Sequence, residues 1–236
     1  PVPRGRAGSA LLSHILVSKY ADHLPLYRQS EIFAREGVHL DRSTLADWVG
    51  QASWLLQPLV EKIAAHVFAS EKIHTDDIPV PVLAPGTGKT KTGRIWIYAR
   101  DNRKWKDGDP PAAVYYYSPD RKAEHPRRHL QNYAGFLQAD GFPGYEQLYV
   151  EGRKPGPIIE VACWAHVRRK IYDVWQADRT SVAGEGIDLI RQIYHYHDRA
   201  RASDPNIRGN PWKDVGTAAY VFFAWADKVL LQISAK

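Results

Sequence analysis

Ile73-His74-Thr75-Asp76-Asp77 is the stretch whose reading decides the fold. It is short, carries β-branched residues, and ends on carboxylates, so it reads as a strand that delivers acidic groups to its carboxyl end. The residues before it read as helix. Leu11, Leu12, Ile15 and Leu16 share one face before Pro25, a second helix covers Leu26 to Glu36 with Gly37 placed to end it, and Thr44 with Asp47 resembles a capping box. Leu45, Trp48, Val49 and Ala52 then share a side, and Pro58 is expected to break or kink the run.

Beyond Asp77 the chain alternates between strand and helix. Arg94 to Arg100 and Ala112 to Tyr117 read as strands, separated by Gly- and Pro-rich connections. A helix is expected from Pro126 to Tyr133, then strands at Phe136 to Asp140 and Ile158 to Cys163, then a helix with Trp164, Val167, Ile171, Val174 and Trp175 on one face. Three strands, helix, strand, connector, strand, helix is the element order of an α/β protein with a ribonuclease-H-like mixed sheet core. Three regions result: 1–69, a small all-helical, helix-turn-helix-like domain for DNA; 70–202, the core; and 203–236, an irregular tail broken by Asp204-Pro205 and Gly209-Asn210-Pro211.

Composition narrows the class. Of 236 residues, 44% are hydrophobic and 25% charged, the balance of a globular chain rather than a disordered one. No apolar run is long enough to span a bilayer, and no signal-peptide pattern opens the chain. One cysteine, Cys163, excludes a disulfide framework and fits a reducing cytoplasm. The absence of Met and the start at Pro1 read as a fragment. A net charge of +6 leans towards polyanionic partners.

Two carboxylates stand where strands end, Asp76 and Asp140. On neighbouring parallel strands they would come close enough to share a hard divalent cation or a pair of them, the arrangement of in-line phosphoryl transfer. The same residues fit a plain turn at Asp140-Gly141 and a solvated loop at Asp77. Gly86-Thr87-Gly88-Lys89-Thr90 is not a phosphate loop, because Leu83 stands where the motif needs glycine and a strand comes next instead of a helix. It reads as a glycine hairpin, either uninvolved or holding two lysines near DNA. Cys163 with His166 lacks the partners of a zinc site. His166, Arg168, Arg169 and Lys170 open a helix with positive charge, which opposes the helix dipole and hints at an anionic partner; a solvated face is the other reading.

Lys19-Tyr20-Ala21-Asp22-His23-Leu24-Pro25-Leu26-Tyr27-Arg28, Ser43-Thr44-Leu45-Ala46-Asp47-Trp48, His74-Thr75-Asp76-Asp77, Thr92-Gly93-Arg94-Ile95-Trp96, Ala139-Asp140-Gly141-Phe142 and Cys163-Trp164-Ala165-His166-Val167-Arg168-Arg169-Lys170 together resemble, in order, the transposases of the insertion sequence IS66 family. The resemblance covers residues 5–178 and returns faintly around 223–236. It implies a bacterial, cytoplasmic, nucleoid-associated DDE-type transposase acting on double-stranded DNA at element ends and target, assembling as a homo-oligomer on DNA, with no membrane partner. It implies Mg²⁺ or Mn²⁺, two ions, held by Asp76 and Asp140 as the first two acids of the triad. Where the family carries its third acid, a glutamate, this chain has His197, with Asp198 adjacent but rotated about 100° around a helix. The catalytic set is then Asp76, Asp140 and Asp198, with Arg42, Gln51, Arg94, Arg168, Arg169 and Lys170 on DNA. The alternative is a catalytically inactive remnant that only binds DNA.

Overall fold

The computed structural model describes residues 7–102, 109–203, 210 and 212–234. The chain divides into two compact units, Pro1–Ser70 with Ile97–Tyr115, and Glu71–Trp96 with Tyr116–Lys236. The first contains helices α1 (Ser9–Tyr20), α2 (Leu26–Arg35) and α3 (Arg42–Phe68). Leu12 and Ile15 of α1 and Leu45, Ala52 and Val67 of α3 are buried. Gln29 of α2 is buried too, and its amide donates to the carbonyls of Ile15 and Leu24 at 3.3 and 3.0 Å.

Two local expectations fail here. α3 runs through Pro58 without ending, for 27 residues. A proline removes one N–H, but the turns on either side supply enough hydrogen bonds to carry the helix past it. Its N-cap is Asp41, with no side-chain cap bond, so Thr44 and Asp47 lie inside the helix rather than forming a capping box.

The sheet has five strands: β1 (Lys72–Ala84), β2 (Lys89–Arg100), β3 (Ala112–Ser118), β4 (Gly135–Ala139) and β5 (Ile158–Ala162), ordered β3-β2-β1-β4-β5. β1, β4 and β5 are parallel. β1 and β2 are joined by a tight turn, which requires them to be antiparallel. Both are longer than the sequence pattern suggests, extending outward as an arm to the turn at 85–88. α4 occupies Glu124–His129, starting earlier and stopping sooner than Pro126 to Tyr133, with Leu130 already outside the helix.

Pleating sorts the β1 side chains. Ile73 and Thr75 are buried, as are Leu137 and Ala139 of β4. That face packs on a 3₁₀ helix, Pro143–Leu148, whose Tyr145 hydroxyl lies 3.4 Å from the Thr75 hydroxyl. Burial pushes the Tyr145 phenol well above its ordinary value. Trp96 is fully buried there, its ring meeting those of Phe142 and Tyr145, and its indole N–H donates to Ser118 at 2.8 Å.

The remaining helices are α5 (Trp164–Asp178), α6 (Ser181–Ala202) and α7 (Lys213–Ser234). Ile190 and Ile193 of α6 with Ala218 and Phe222 of α7 make a second core, against which Trp164, Val167 and Ile171 of α5 pack. The apolar face read from the sequence of α5 is therefore used in its first half, whereas Val174 is exposed. The irregular tail expected at 203–236 is corrected: α7 fills most of it. Breakers at 205–211 interrupt the sequence pattern without preventing a new helix beyond them. Gly186 permits the α6–α7 approach, since a Cβ there would stand 2.4 Å from the Trp225 ring. Gly186→Ala should destabilise by about 1–3 kcal/mol through overpacking, measurable as a lower urea midpoint at unchanged slope.

Candidate active site

Strand register brings the two sequence-predicted carboxylates together. β1 and β4 pair in parallel as Lys72↔Phe136, Ile73↔Leu137 and His74↔Gln138. Continued by two residues, this register sets Asp76 level with Asp140, which follows the last residue of β4, the two strands being about 4.8 Å apart. Asp76 shares the pleat of His74, opposite to the buried face. Asp76 is accordingly open, with its side chain 51% exposed. One of its oxygens accepts the Asp77 N–H at 2.8 Å, and the other lies 3.7 Å from His166 Nε2, beyond hydrogen-bonding distance.

Asp77, one residue on, turns to the other face. Its side chain is 1% exposed, and both oxygens are committed: Oδ2 to Arg94 at 3.0 Å, Oδ1 to Arg121 at 2.7 Å. The same Arg121 reaches Asp140 Oδ2 at 3.1 Å and lies over the Phe142 ring at 4.2 Å. Burial opposes the Arg121 charge, but Asp77 and Asp140 outweigh it and hold the guanidinium above its ordinary value. Asp140 also accepts the Phe142 N–H at 3.3 Å. The result is a chain of charges, Arg94–Asp77–Arg121–Asp140, anchored on a buried carboxylate.

α5 faces the open side of this site with residues one turn apart. His166 meets Asp76, and Lys170 Nζ stands 3.6 Å from where a Cβ on Gly141 would be. Arg168 and Arg169 are exposed on the same helix, Arg168 lying over Tyr172 at 5.7 Å. Arg42 and Gln51 are exposed on α3. Arg94 Nη1 donates to Asp77 Oδ2 at 3.0 Å, and its side chain keeps 25% exposure. Cys163, at the N-cap of α5, is half-buried and free.

His197 and Asp198 lie on α6. The His197 ring packs against Trp212 with centroids 5.5 Å apart, and its Nδ1 is 3.5 Å from Asp198. Among the described residues no hydrogen bond or ion pair joins either to Asp76 or Asp140. Asp198 is 76% exposed.

Sequence reading missed Arg121. Its partners stand 44 and 19 residues away, so no local pattern carries the signal. It also missed Asp120, Glu124 and His125, whose potential ligand atoms lie within 4.8 Å of one another. His125 Nε2 is 2.7 Å from Asp120, a contact that holds the Asp120 carboxyl below its ordinary value.

The donor set suits a hard cation. Asp76 has open oxygen valence, Asp140 is partly committed, and Asp77 has none to offer, so the accessible ligands are two carboxylates with no thiolate. Oxygen-only donors of this kind are what divalent metals of phosphoryl transfer require.

The sequence profile described as Transposase IS66 family matches residues 4–236, and the chain belongs to that family. The match runs through α7, further than the motifs alone reach. Three proteins of Sinorhizobium fredii (strain NBRC 101917 / NGR234) are similar. Uncharacterized protein y4hP is 47% identical over 172 residues, 73% of this chain and 31% of that protein. Uncharacterized protein y4qI is 37% identical over 240 residues, 100% of this chain and 44% of that protein. Uncharacterized protein y4jD is 37% identical over 208 residues, 87% and 41% respectively. The chain spans less than half the length of these relatives. No helix among the described residues is long and apolar enough to cross a membrane.

Proposed function

We propose that this chain is the central part of a DDE-type DNA transposase with a ribonuclease-H-like core. The observation that carries the reading is the parallel register of β1 and β4, which, continued by two residues, sets Asp76 level with Asp140 just past the end of β4, in a chain of this family. The strand order β3-β2-β1-β4-β5, with the last three parallel, supports the core assignment. Asp76 and Asp140 hold Mg²⁺ or Mn²⁺, as two ions when DNA is bound. Such ions supply Lewis-acid stabilisation of the attacking and leaving oxygens.

The protein's own groups do the rest. Arg121 fixes the Asp140 carboxylate from one side, leaving its remaining lone pairs directed at the site. Arg168, Arg169 and Lys170 on α5 position DNA phosphates without reading bases, and Arg42 and Gln51 of α3 meet the duplex as part of a helix-turn-helix-like unit. Water attacks the phosphorus at the element end, the 3′-oxygen leaves and takes up a proton, and the resulting 3′-hydroxyl then joins target DNA. The setting is the bacterial cytoplasm and nucleoid, with the active form an oligomer on DNA.

A second reading, a remnant that binds DNA without cutting it, is favoured by one position. His197 stands where the family has glutamate, and imidazole is a poor Mg²⁺ ligand. The unmodified chain is therefore expected to show weak or no Mg²⁺-dependent strand transfer on element-end duplexes, and His197→Glu to raise it at least about tenfold. Robust Mg²⁺-dependent cleavage by the unmodified chain, abolished by Asp198→Ala, would instead give Asp198 the third role. Mn²⁺ binding, monitored by electron paramagnetic resonance, tests the metal site itself without depending on turnover.

A further inference from the structure

The arm formed by β1 and β2 beyond the carboxylates takes no part in the acidic site. β1 continues past Asp77 to Ala84, and β2 returns from Lys89. Seven further residues of strand carry the tip about 23 Å from the acidic site. Three features of this arm point in one direction.

The first is charge. From Ile78 to Arg100 there is no Asp or Glu, and the arm carries Lys89 and Lys91, both exposed. A basic, acid-free projection rooted beside a cluster of carboxylates matches a polyanion that must reach those carboxylates. The second is the tip. Leu83 is 81% exposed, the highest value among the exposed large apolar side chains of the described residues. Pro85 is beside it, and the turn is braced: Gly86 and Gly88 have φ of +82° and +63°, and the Thr87 hydroxyl donates to the Ala84 carbonyl at 2.7 Å. A rigid turn that holds a leucine in water is costly unless the leucine has a partner to enter.

The third is the arm's edge. Pro79 and Pro81 are two residues apart in β1, so both withdraw donors from the same edge. Those prolines disfavour addition of a strand along the β1 edge of the arm. An exposed leucine and proline at the tip with lysines on the returning strand have the wedge chemistry by which proteins part stacked bases while holding neighbouring phosphates.

We propose that the β1–β2 hairpin is a DNA-distorting arm: Lys89 and Lys91 bind backbone phosphates, and Leu83 inserts at a base step about seven base pairs from the phosphate presented to Asp76 and Asp140, at the reach of about 23 Å that the arm provides. The proposal rests on the transposase reading. It adds a surface and a role for it, the local unstacking and bending of the duplex beside the cleavage site.

The test uses the full chain and duplexes carrying the element end, with 2-aminopurine placed at successive positions out to about ten base pairs on either side of the cleavage phosphate. Binding is expected to raise fluorescence at one or two positions. Leu83→Ala should remove most of that rise while changing affinity less than about threefold. Lys89→Ala with Lys91→Ala should weaken binding and flatten the dependence of log affinity on log salt by about 2. If both variants bind and unstack DNA like the unmodified chain, the arm has no such role. Should they leave DNA binding unchanged but alter oligomeric state, the hairpin is a contact between chains and the proposal is overturned. Failure of the unmodified chain to bind any DNA would overturn the transposase reading as well, so the two failures are distinguishable.

Discussion

Asp76→Ala is expected to abolish metal-dependent DNA cleavage in the His197→Glu background and to lower Mn²⁺ affinity by more than about 100-fold. Loss of a residue that merely orients a metal ligand costs about 10–100-fold, and loss of the ligand itself should exceed that. Folding should be nearly indifferent. Asp76 is half exposed, accepts the next backbone N–H and has His166 Nε2 at 3.7 Å, exposed contacts whose loss should change the unfolding free energy by no more than about 0.5 kcal/mol. Asp140→Ala should behave similarly in metal binding, with some added loss of stability because Arg121 gives up a partner. Electron paramagnetic resonance titration beside thermal melts separates the two readouts. Unchanged Mn²⁺ affinity in both variants would move the metal elsewhere, and Asp120, Glu124 and His125 would be the next place to look.

The opposite pattern is expected one residue along. Asp77→Ala leaves two guanidinium groups without the buried carboxylate that both of them bond. Removing one partner of a buried ion pair costs about 3–5 kcal/mol, and because Arg94 and Arg121 retain 25% and 36% exposure, a value near the lower end is expected. Urea denaturation measures it directly. Arg94→Ala should cost less, since Asp77 keeps Arg121. If Asp77→Ala melts like the unmodified chain while losing all Mn²⁺ binding, then Asp77 is itself a ligand and the division of labour between the two aspartates is wrong.

Much of this was legible in the sequence, and the reason is local. The strand segments that carry Asp76 and lead to Asp140 declare themselves through β-branched and aromatic runs, although β1 runs on to Ala84 instead of ending at Asp76 as its pattern suggests. The family motifs then supplied order. The features that escaped depend on distant partners. Nothing in Asp76-Asp77 says which carboxylate is open, because the answer lies in the arginines at 94 and 121. Arg94, in the Thr92-Gly93-Arg94-Ile95-Trp96 motif, pairs with Asp77, a contact that its charge alone does not announce. Gly93 of that motif is demanded by packing, since a Cβ would meet Tyr117 at 2.7 Å, and Trp96 belongs to the core. Pro58 and the breakers before α7 misled for a related reason: helix continuation past a proline, and a new helix beyond breaker residues, are decided by tertiary packing rather than by propensity.

Adjacent in the chain and opposite in the pleat, Asp76 and Asp77 would look entirely different to a geneticist. A library screened for cellular abundance should tolerate nearly any residue at 76 and reject most at 77, because proteolysis and chaperones sense stability alone. A library screened for mobility of the element should reject both. Position 76 would thus be visible only to selection on activity, and a genomic copy released from that selection should drift there while still accumulating as folded protein.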